Sequence, residues 1–142
     1  MADILLVDDQ PCVGQIISEE LILEGHQVCS LCDAESVREY LLCTRPDLIL
    51  LDLYLEGGLE GFGILGDIKR KYPHLPVIIV TAYDSYSEEP RLSQADGYLI
   101  KSVYFFDELK QRIAQVLTQQ RSNKATEEPE PDCTELAGAH GF

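Results

Sequence analysis

The sequence predicts an α/β fold built around a mostly parallel sheet. Short apolar runs alternate with segments whose apolar residues recur at helical spacing, and this alternation continues for five rounds. Four of the apolar runs also end on a polar residue that is able to take part in chemistry. The 142 residues are enough for one domain with a single core.

The first two rounds carry clear start and stop signals. Ile4–Val7 is predicted to be a strand, and the next helix starts at Pro11 and stops at Gly25. Gln27–Leu31 is predicted to be the second strand, and Asp33 suits the cap of the second helix. The apolar residues of these two helices are Val13, Ile16, Ile17 and Leu21, then Val37, Tyr40 and Leu41.

The third round places a fully apolar strand at the centre of the sheet. Leu48–Leu51 is apolar at every position, as expected for a strand covered by helices on both faces. The following helix carries Phe62, Leu65 and Ile68 and is closed by Tyr72-Pro73.

The sequence predicts the helix of the fifth round more clearly than that of the fourth. Val77–Val80 is predicted to be the fourth strand, but residues 84–94 are polar and contain Pro90, so we expect a short or irregular helix there. Tyr98–Ile100 is predicted to be the fifth strand, before an amphipathic helix. Residues 1–121 form the predicted domain, and residues 122–142 form an acidic tail that is predicted to be disordered.

Composition excludes several classes of function. A net charge of −14 argues against a nucleic-acid partner, and no apolar run approaches the roughly 20 residues that a membrane-spanning helix needs. Five cysteines, an odd count, and the lack of a leader pattern at the start predict a cytoplasmic protein with reduced thiols. Cys29 and Cys32 do not match the spacing of a metal site on their own.

The polar residues at the strand ends predict a site. Asp8 and Asp9, Asp52, Thr81 and Lys101 follow four different strands, and the carboxyl ends of parallel strands meet at one end of a sheet, where ligands bind. Carboxylate oxygens suit Mg²⁺, and a hydroxyl and an ammonium suit a phosphoryl group. Each residue also has a plainer interpretation: a helix-capping pair for Asp8 and Asp9, a loop acid for Asp52, a strand residue for Thr81 and a surface lysine for Lys101.

The chain resembles the receiver domain of bacterial two-component response regulators, from about Asp3 to Gln120. The resemblance rests on an ordered set of motifs: Leu-Leu-Val-Asp-Asp, Asp-Leu-Ile-Leu-Leu-Asp-Leu, Ile-Ile-Val-Thr-Ala and Gly-Tyr-Leu-Ile-Lys. It implies a flavodoxin-like doubly wound sheet of five parallel strands, in the order 2-1-3-4-5, with helices on both faces.

The resemblance also implies a role for each site residue. Asp52 is the expected phosphoryl acceptor from a histidine kinase, a phosphotransfer protein or a small acyl phosphate. Asp9, Asp52 and the Tyr54 carbonyl are expected to bind Mg²⁺ directly, and Asp8 through water. Thr81 and Tyr98 are the expected switch residues, while Lys101 and the metal offset charge on the transferred group. The output is a protein-binding surface for an unknown downstream protein.

Two departures from the family leave alternatives open. Ser102 stands where the family commonly has proline, and the segment after the fourth strand is short. These features favour an atypical receiver that binds a partner without being phosphorylated. A phosphatase with an aspartyl-phosphate intermediate is a second alternative, although such enzymes usually carry Asp-x-Asp at the first strand and this chain has adjacent aspartates. The main prediction is a signalling switch that catalyses only its own phosphorylation and dephosphorylation.

Overall fold

The computed structural model describes residues 2–55, 60–82, 90–101 and 105–122. The strands are β1 (Asp3–Val7), β2 (Gln27–Leu31), β3 (Leu48–Asp52), β4 (Val77–Thr81) and β5 (Gly97–Ile100). The helices are α1 (Pro11–Leu23), α2 (Ala34–Cys43), α3 (Glu60–Lys71) and α4 (Phe105–Ser122), with a 3₁₀ helix over Pro90–Gln94.

The five strands form one parallel sheet in the order β2-β1-β3-β4-β5. This order and the flavodoxin-like architecture confirm the prediction. Because all strands run the same way, their first residues lie at one end of the sheet, the amino end, and their last residues lie at the other, the carboxyl end.

The core has two halves, one on each face of the sheet. Successive strand residues point to opposite faces, so β1, β3 and β4 bury residues on both sides. Leu5, Ile49 and Ile79 pack with α2, α3 and the 3₁₀ helix. Ile4 and Leu50 pack on the opposite face with α1 and α4. The sheet that carries the site is therefore held from both sides.

The predicted helix signals are found where the sequence placed them. Asp33 caps α2, its Oδ1 accepting a hydrogen bond from the Ser36 N–H at 2.7 Å. α1 ends at Leu23, and Gly25 takes the left-handed conformation (φ 94°) that favours glycine after a helix.

Two further predictions are only partly covered by the structure. The 3₁₀ helix accounts for the part of residues 84–94 that is described, and residues 83–89 lie outside the described ranges. Ser102 and the tail from residue 123 also lie outside them, so the tail's disorder and the domain boundary stay predictions; α4 itself continues to Ser122.

Candidate functional site

Two aspartates lie side by side at the carboxyl end of the sheet. Asp8 directly follows β1 and Asp52 is the last residue of β3, and these strands are neighbours with Val7 opposite Leu51. The Asp8 side chain is fully buried and the Asp52 side chain is 7% exposed. Two carboxylates thus share a site that water hardly reaches.

Both aspartates use their two oxygens in the same way. Oδ1 of Asp8 accepts a hydrogen bond from the Gln10 N–H at 2.9 Å, and Oδ1 of Asp52 accepts one from the Tyr54 N–H at 3.0 Å. An aspartate that bonds the backbone two residues ahead is a common turn device. It locks each carboxylate in place and leaves Oδ2 of both residues to face the site.

Lys101 brings a positive charge between these two oxygens. Its Nζ lies 2.8 Å from Asp8 Oδ2 and 3.0 Å from Asp52 Oδ2, and its side chain is 16% exposed. Its backbone N–H donates to the Thr81 carbonyl at 2.8 Å, which fixes the lysine at the end of β4. The structure therefore brings together Asp8, Asp52 and Lys101 from three distant stretches of sequence.

Asp8 has a second contact besides the one at the start of α1: its Oδ1 accepts from the N–H of Gln10, the N-cap of that helix, and its Oδ2 pairs with Lys101. The plainer interpretation of Lys101 is wrong. Lys101 is not a surface lysine, because it is largely buried and pairs with two carboxylates.

Burial and charge pairing shift the pKa values of Asp52 and Lys101. Burial raises the pKa of Asp52 above its usual range, and the charge of Asp8 adds to the rise, while the Tyr54 N–H and Lys101 oppose it. Burial acts to lower the pKa of Lys101, but the hydrogen bonds and charges of Asp8 and Asp52 outweigh it, so this pKa is raised. Lys101 is therefore charged at neutral pH and offsets the negative charge of Asp52, whose ionisation burial disfavours.

The remaining predicted residues differ in their exposure to solvent. Thr81 is fully buried at the last position of β4, and Asp9 is exposed beside Asp8. Tyr98 is half-buried on β5 and packs against the core on the α3 face. Tyr54 is 37% exposed, directly beyond the Asp52 turn.

The donor set fits a magnesium ion. Two carboxylate oxygens converge on one point, which already accommodates a cationic group, and Mg²⁺ usually takes one or two carboxylates and keeps several waters. Within the described ranges, no group of three or more His, Cys, Asp or Glu side chains is arranged to hold a metal ion. Asp9 and the Tyr54 carbonyl therefore stay predicted ligands, without observed geometry.

Gly61 packs against the backbone of the site, and the sequence pattern assigned no role to it. Its N–H donates to the Leu53 carbonyl at 3.0 Å, and a Cβ at this position would overlap the Asp52 carbonyl oxygen and Leu53 Cα. The first turn of α3 thus lies directly against the backbone that carries Asp52. A glycine closing the loop after a strand-end aspartate was the available signal.

Comparison with known proteins decides the family. Residues 4–114 match the response regulator receiver domain. The chain belongs to this family. The receiver is 36% identical over 103 residues to the response regulator protein FleR of Pseudomonas aeruginosa, covering 70% of this chain and 21% of FleR. It is 32% identical over 129 residues to the heme response regulator HssR of Staphylococcus epidermidis, covering 89% of this chain and 56% of HssR.

Solved structures agree with this assignment. The receiver superposes with a TM-score of 0.76 on the response regulator TrrA of Thermotoga maritima in complex with Mg²⁺-BeF, at 32% identity, covering 82% of this chain and 99% of that one. A CheY-like receiver domain protein of Methanospirillum hungatei gives 0.78 at 25% identity, covering 87% and 98%.

The match to curated relatives concerns only part of their length. The chain spans about a fifth of FleR and a little over half of HssR.

No helix among the described residues has the length and apolar composition needed to cross a membrane.

Proposed function

We propose that this receiver is a phosphorylation switch in which Asp52 accepts a phosphoryl group in a Mg²⁺-dependent reaction. The observation that carries the proposal is the pair of Oδ2 atoms, on Asp8 and Asp52, that face one ammonium in a buried position. A buried, oriented carboxylate beside a cation is the arrangement that carboxylate phosphorylation requires.

The chemistry assigns one task to each described side chain. Asp52 Oδ2 attacks the phosphorus of the donor, an O–P bond forms, and the bond from phosphorus to the donor's nitrogen or oxygen breaks with its electron pair going to the donor. Lys101 leaves its contact with Asp52 and pairs with the incoming phosphoryl oxygens. Asp9, Asp52 and the Tyr54 carbonyl would hold Mg²⁺ directly and Asp8 would hold it through water, and the ion would supply positive charge to offset the negative charge on those oxygens.

Thr81 and Tyr98 are the proposed reporters of the reaction. Thr81 lies one position beyond Val80, which is opposite Asp52 in the sheet register. Its hydroxyl is proposed to bond the new phosphoryl group, and Tyr98, on the adjacent strand, to move further into the core as a result.

A sensor histidine kinase or a phosphotransfer protein is the proposed donor, and an unidentified protein the proposed output partner. The relative TrrA has been solved in complex with the histidine kinase ThkA, and that TrrA chain superposes on this one with a TM-score of 0.75. The kinase is therefore proposed to approach the carboxyl end of the sheet, where Asp52 lies. The proposed compartment is the cytoplasm.

Intact-protein mass spectrometry tests the proposal. We expect one added phosphoryl group after incubation with a small acyl phosphate and Mg²⁺, and none when Mg²⁺ is chelated or in Asp52→Asn. An unchanged mass in the wild-type protein, or the same added mass in the variant, would contradict it.

A phosphorylation-independent binding module remains the second candidate. It is favoured by the 3₁₀ helix at Pro90–Gln94, the helical segment in the described part of the connection between β4 and β5, since an α-helix usually makes such a connection. Binding of a partner by the Asp52→Asn variant with unchanged affinity, together with no phosphoryl uptake by the wild type, would support this candidate.

A further inference from the structure

A groove of about 350 Å³ runs between α2 and α3, away from the phosphorylation site. Its floor is apolar, formed by Val37, Leu41, Ile64 and Ile68. Apolar floors with polar rims mark surfaces that bind other segments of protein.

The rim of this groove is positively charged. Arg38, Arg70 and Lys71 line it, and Asp67 is its one carboxylate. Asp67 forms salt bridges with both arginines: its Oδ2 lies 3.2 Å from Arg38 Nη2 and its Oδ1 lies 2.9 Å from Arg70 Nη2. The side chains of Arg38 and Arg70 are 60% and 77% exposed. Three basic residues and one carboxylate leave the rim with two excess positive charges, although the whole chain has a net charge of −14. Such a rim favours binding of an acidic segment.

The chain carries such a segment in residues 127–132. This acidic run reads Glu-Glu-Pro-Glu-Pro-Asp, four carboxylates and two prolines in six residues. Prolines favour an extended conformation, which lowers the conformational entropy lost when the segment binds. The run is therefore complementary to the groove in charge and suited to lie along it.

The acidic run is also within reach of the groove. α2 and α3 end at the amino end of the sheet, because β3 and β4 start there. α4 ends at the same end, since its Leu117 and Thr118 line a pocket with His26, which precedes β2. The run starts five residues beyond Ser122 and ends ten residues beyond it. Because about six extended residues cover the roughly 20 Å across two packed layers, the run can reach the groove from Glu128 onward.

We propose that the acidic run, residues 127–132, binds in the basic-rimmed groove between α2 and α3 of the same molecule. Tethering gives the run an effective concentration on the order of millimolar, so a weak electrostatic contact suffices. The proposal is independent of phosphoryl transfer, because the groove and the Asp52 site lie at different places on the fold.

Amide NMR of the full chain tests the proposal without any phosphoryl donor. The tail variant Glu127→Gln, Glu128→Gln, Glu130→Gln, Asp132→Asn removes the four negative charges. We expect its shift changes within the described residues to cluster in the groove, at the amides of α2 and α3 that line it. Raising the salt concentration of the wild type is expected to move the same resonances in the same direction.

A matched control removes exposed acids elsewhere. Glu19→Gln, Asp107→Asn, Glu108→Gln removes three exposed carboxylates from α1 and α4 and is expected to leave the groove resonances in place. In the reciprocal variant, Arg70→Gln, the amides of the acidic run are expected to move toward their high-salt positions.

Any one of three results would overturn the proposal. The first is that the groove amides do not shift in the tail variant. The second is that the shifts depend on protein concentration, which would assign the groove to a second copy of the chain. The third is that an added acidic peptide shifts the groove amides equally in the wild type and in the tail variant.

Discussion

Carboxylates occur at both ends of the sheet, but they hold different kinds of partner. At the amino end, Asp47 and Asp96 bond the first residues of strands: Asp47 Oδ2 accepts from the Asp3 N–H at 2.8 Å, and Asp96 Oδ2 accepts from the Val77 N–H at 2.8 Å. Each also donates its own N–H to the carbonyl of the same partner, at 2.7 Å in both cases. These two-way bonds secure the starts of β1 and β4.

At the carboxyl end, the corresponding oxygens face a lysine side chain and, among the described residues, no backbone amide. At the amino end Asp96 Oδ2 also pairs with Lys69, but in addition to the Val77 amide. Asp8 and Asp52 bond the backbone through Oδ1 and direct Oδ2 at Lys101. A backbone amide is a fixed partner, whereas an ammonium on a four-carbon side chain can move away and be replaced. The amino-end acids thus secure the starts of strands, whereas the proposed function assigns the carboxyl-end acids to an exchangeable cation.

The largest effect is expected at Gly61, where the carboxyl end is supported by α3. In Gly61→Ala the new Cβ overlaps the backbone of Asp52 and Leu53, which cannot move aside as a side chain would. We expect a loss of about 2–3 kcal/mol in the free energy of unfolding. A displaced Asp52 is expected to slow phosphoryl uptake about 100-fold.

Gly66→Ala is the matched control for this variant. A Cβ at Gly66 meets nothing within 4 Å, and alanine is a better helix former by roughly 0.5–1 kcal/mol. Chemical denaturation and intact-mass kinetics of both variants check the prediction. Equal behaviour of the two would mean that α3 does not position Asp52.

The sequence predicted the strands well but not the contacts within the site. Strand bounds were predicted to within one residue, as for β5, predicted at Tyr98–Ile100 and found at Gly97–Ile100, because buried parallel strands are continuous apolar runs. The strand order came from the family resemblance. The glycine after the strand-end aspartate was a signal for a close approach at Gly61, but its contact partner and the separate bonds of the two oxygens on each aspartate depend on packing in three dimensions.

The next largest effect is expected at the amino end. Asp96→Ala removes the acceptor for both the Val77 N–H and the Lys69 ammonium, which lies 2.7 Å away with its side chain 11% exposed. We expect a loss of about 2 kcal/mol, because a largely buried charge loses its partner. The rate of phosphoryl uptake is expected to stay within about twofold of wild type, because Asp96 lies at the end of the sheet opposite Asp52 and its loss changes the activation barrier by much less than the roughly 1.4 kcal/mol that a tenfold change needs. A large fall in uptake with little loss of stability would reverse the roles assigned to the two ends.

Asp52→Asn is expected to raise the free energy of unfolding slightly when Mg²⁺ is absent. The raised pKa of Asp52 means that ionising it costs folding free energy as the pH rises above the ordinary value of 3.8. Removing the carboxyl group removes that cost. We expect the variant to be about 1 kcal/mol more stable at pH 7, near 3 °C in Tm, and the difference to vanish below about pH 4. Thermal unfolding across this pH range checks it, and a variant less stable than wild type at pH 7 would contradict it.

The smallest effect is expected at His26, again at the amino end. Burial lowers its pKa, its neutral Nδ1 accepts from the Ala2 N–H at 3.1 Å, and the nearby amino terminus adds to the lowering. Because the folded state binds the proton less readily, stability is lost as the pH falls below about 6.5. We expect a loss of roughly 0.5 kcal/mol, absent in His26→Gln, when the two proteins are compared by denaturation at pH 7.5 and pH 5. A His26→Gln variant with the same pH dependence as wild type would remove this role.

An amide NMR titration with Mg²⁺ tests the central claim most directly, namely that Asp8 and Asp52 reserve one oxygen each for a cation. The account predicts saturable shifts at Gln10 and Tyr54, whose N–H groups bond the other oxygen of each carboxylate, and at Lys101. The amides of Asp3 and Val77 at the amino end stay unmoved, and the response is lost in Asp52→Asn. Saturable shifts at the amino end first, or an unchanged response in the variant, would contradict it.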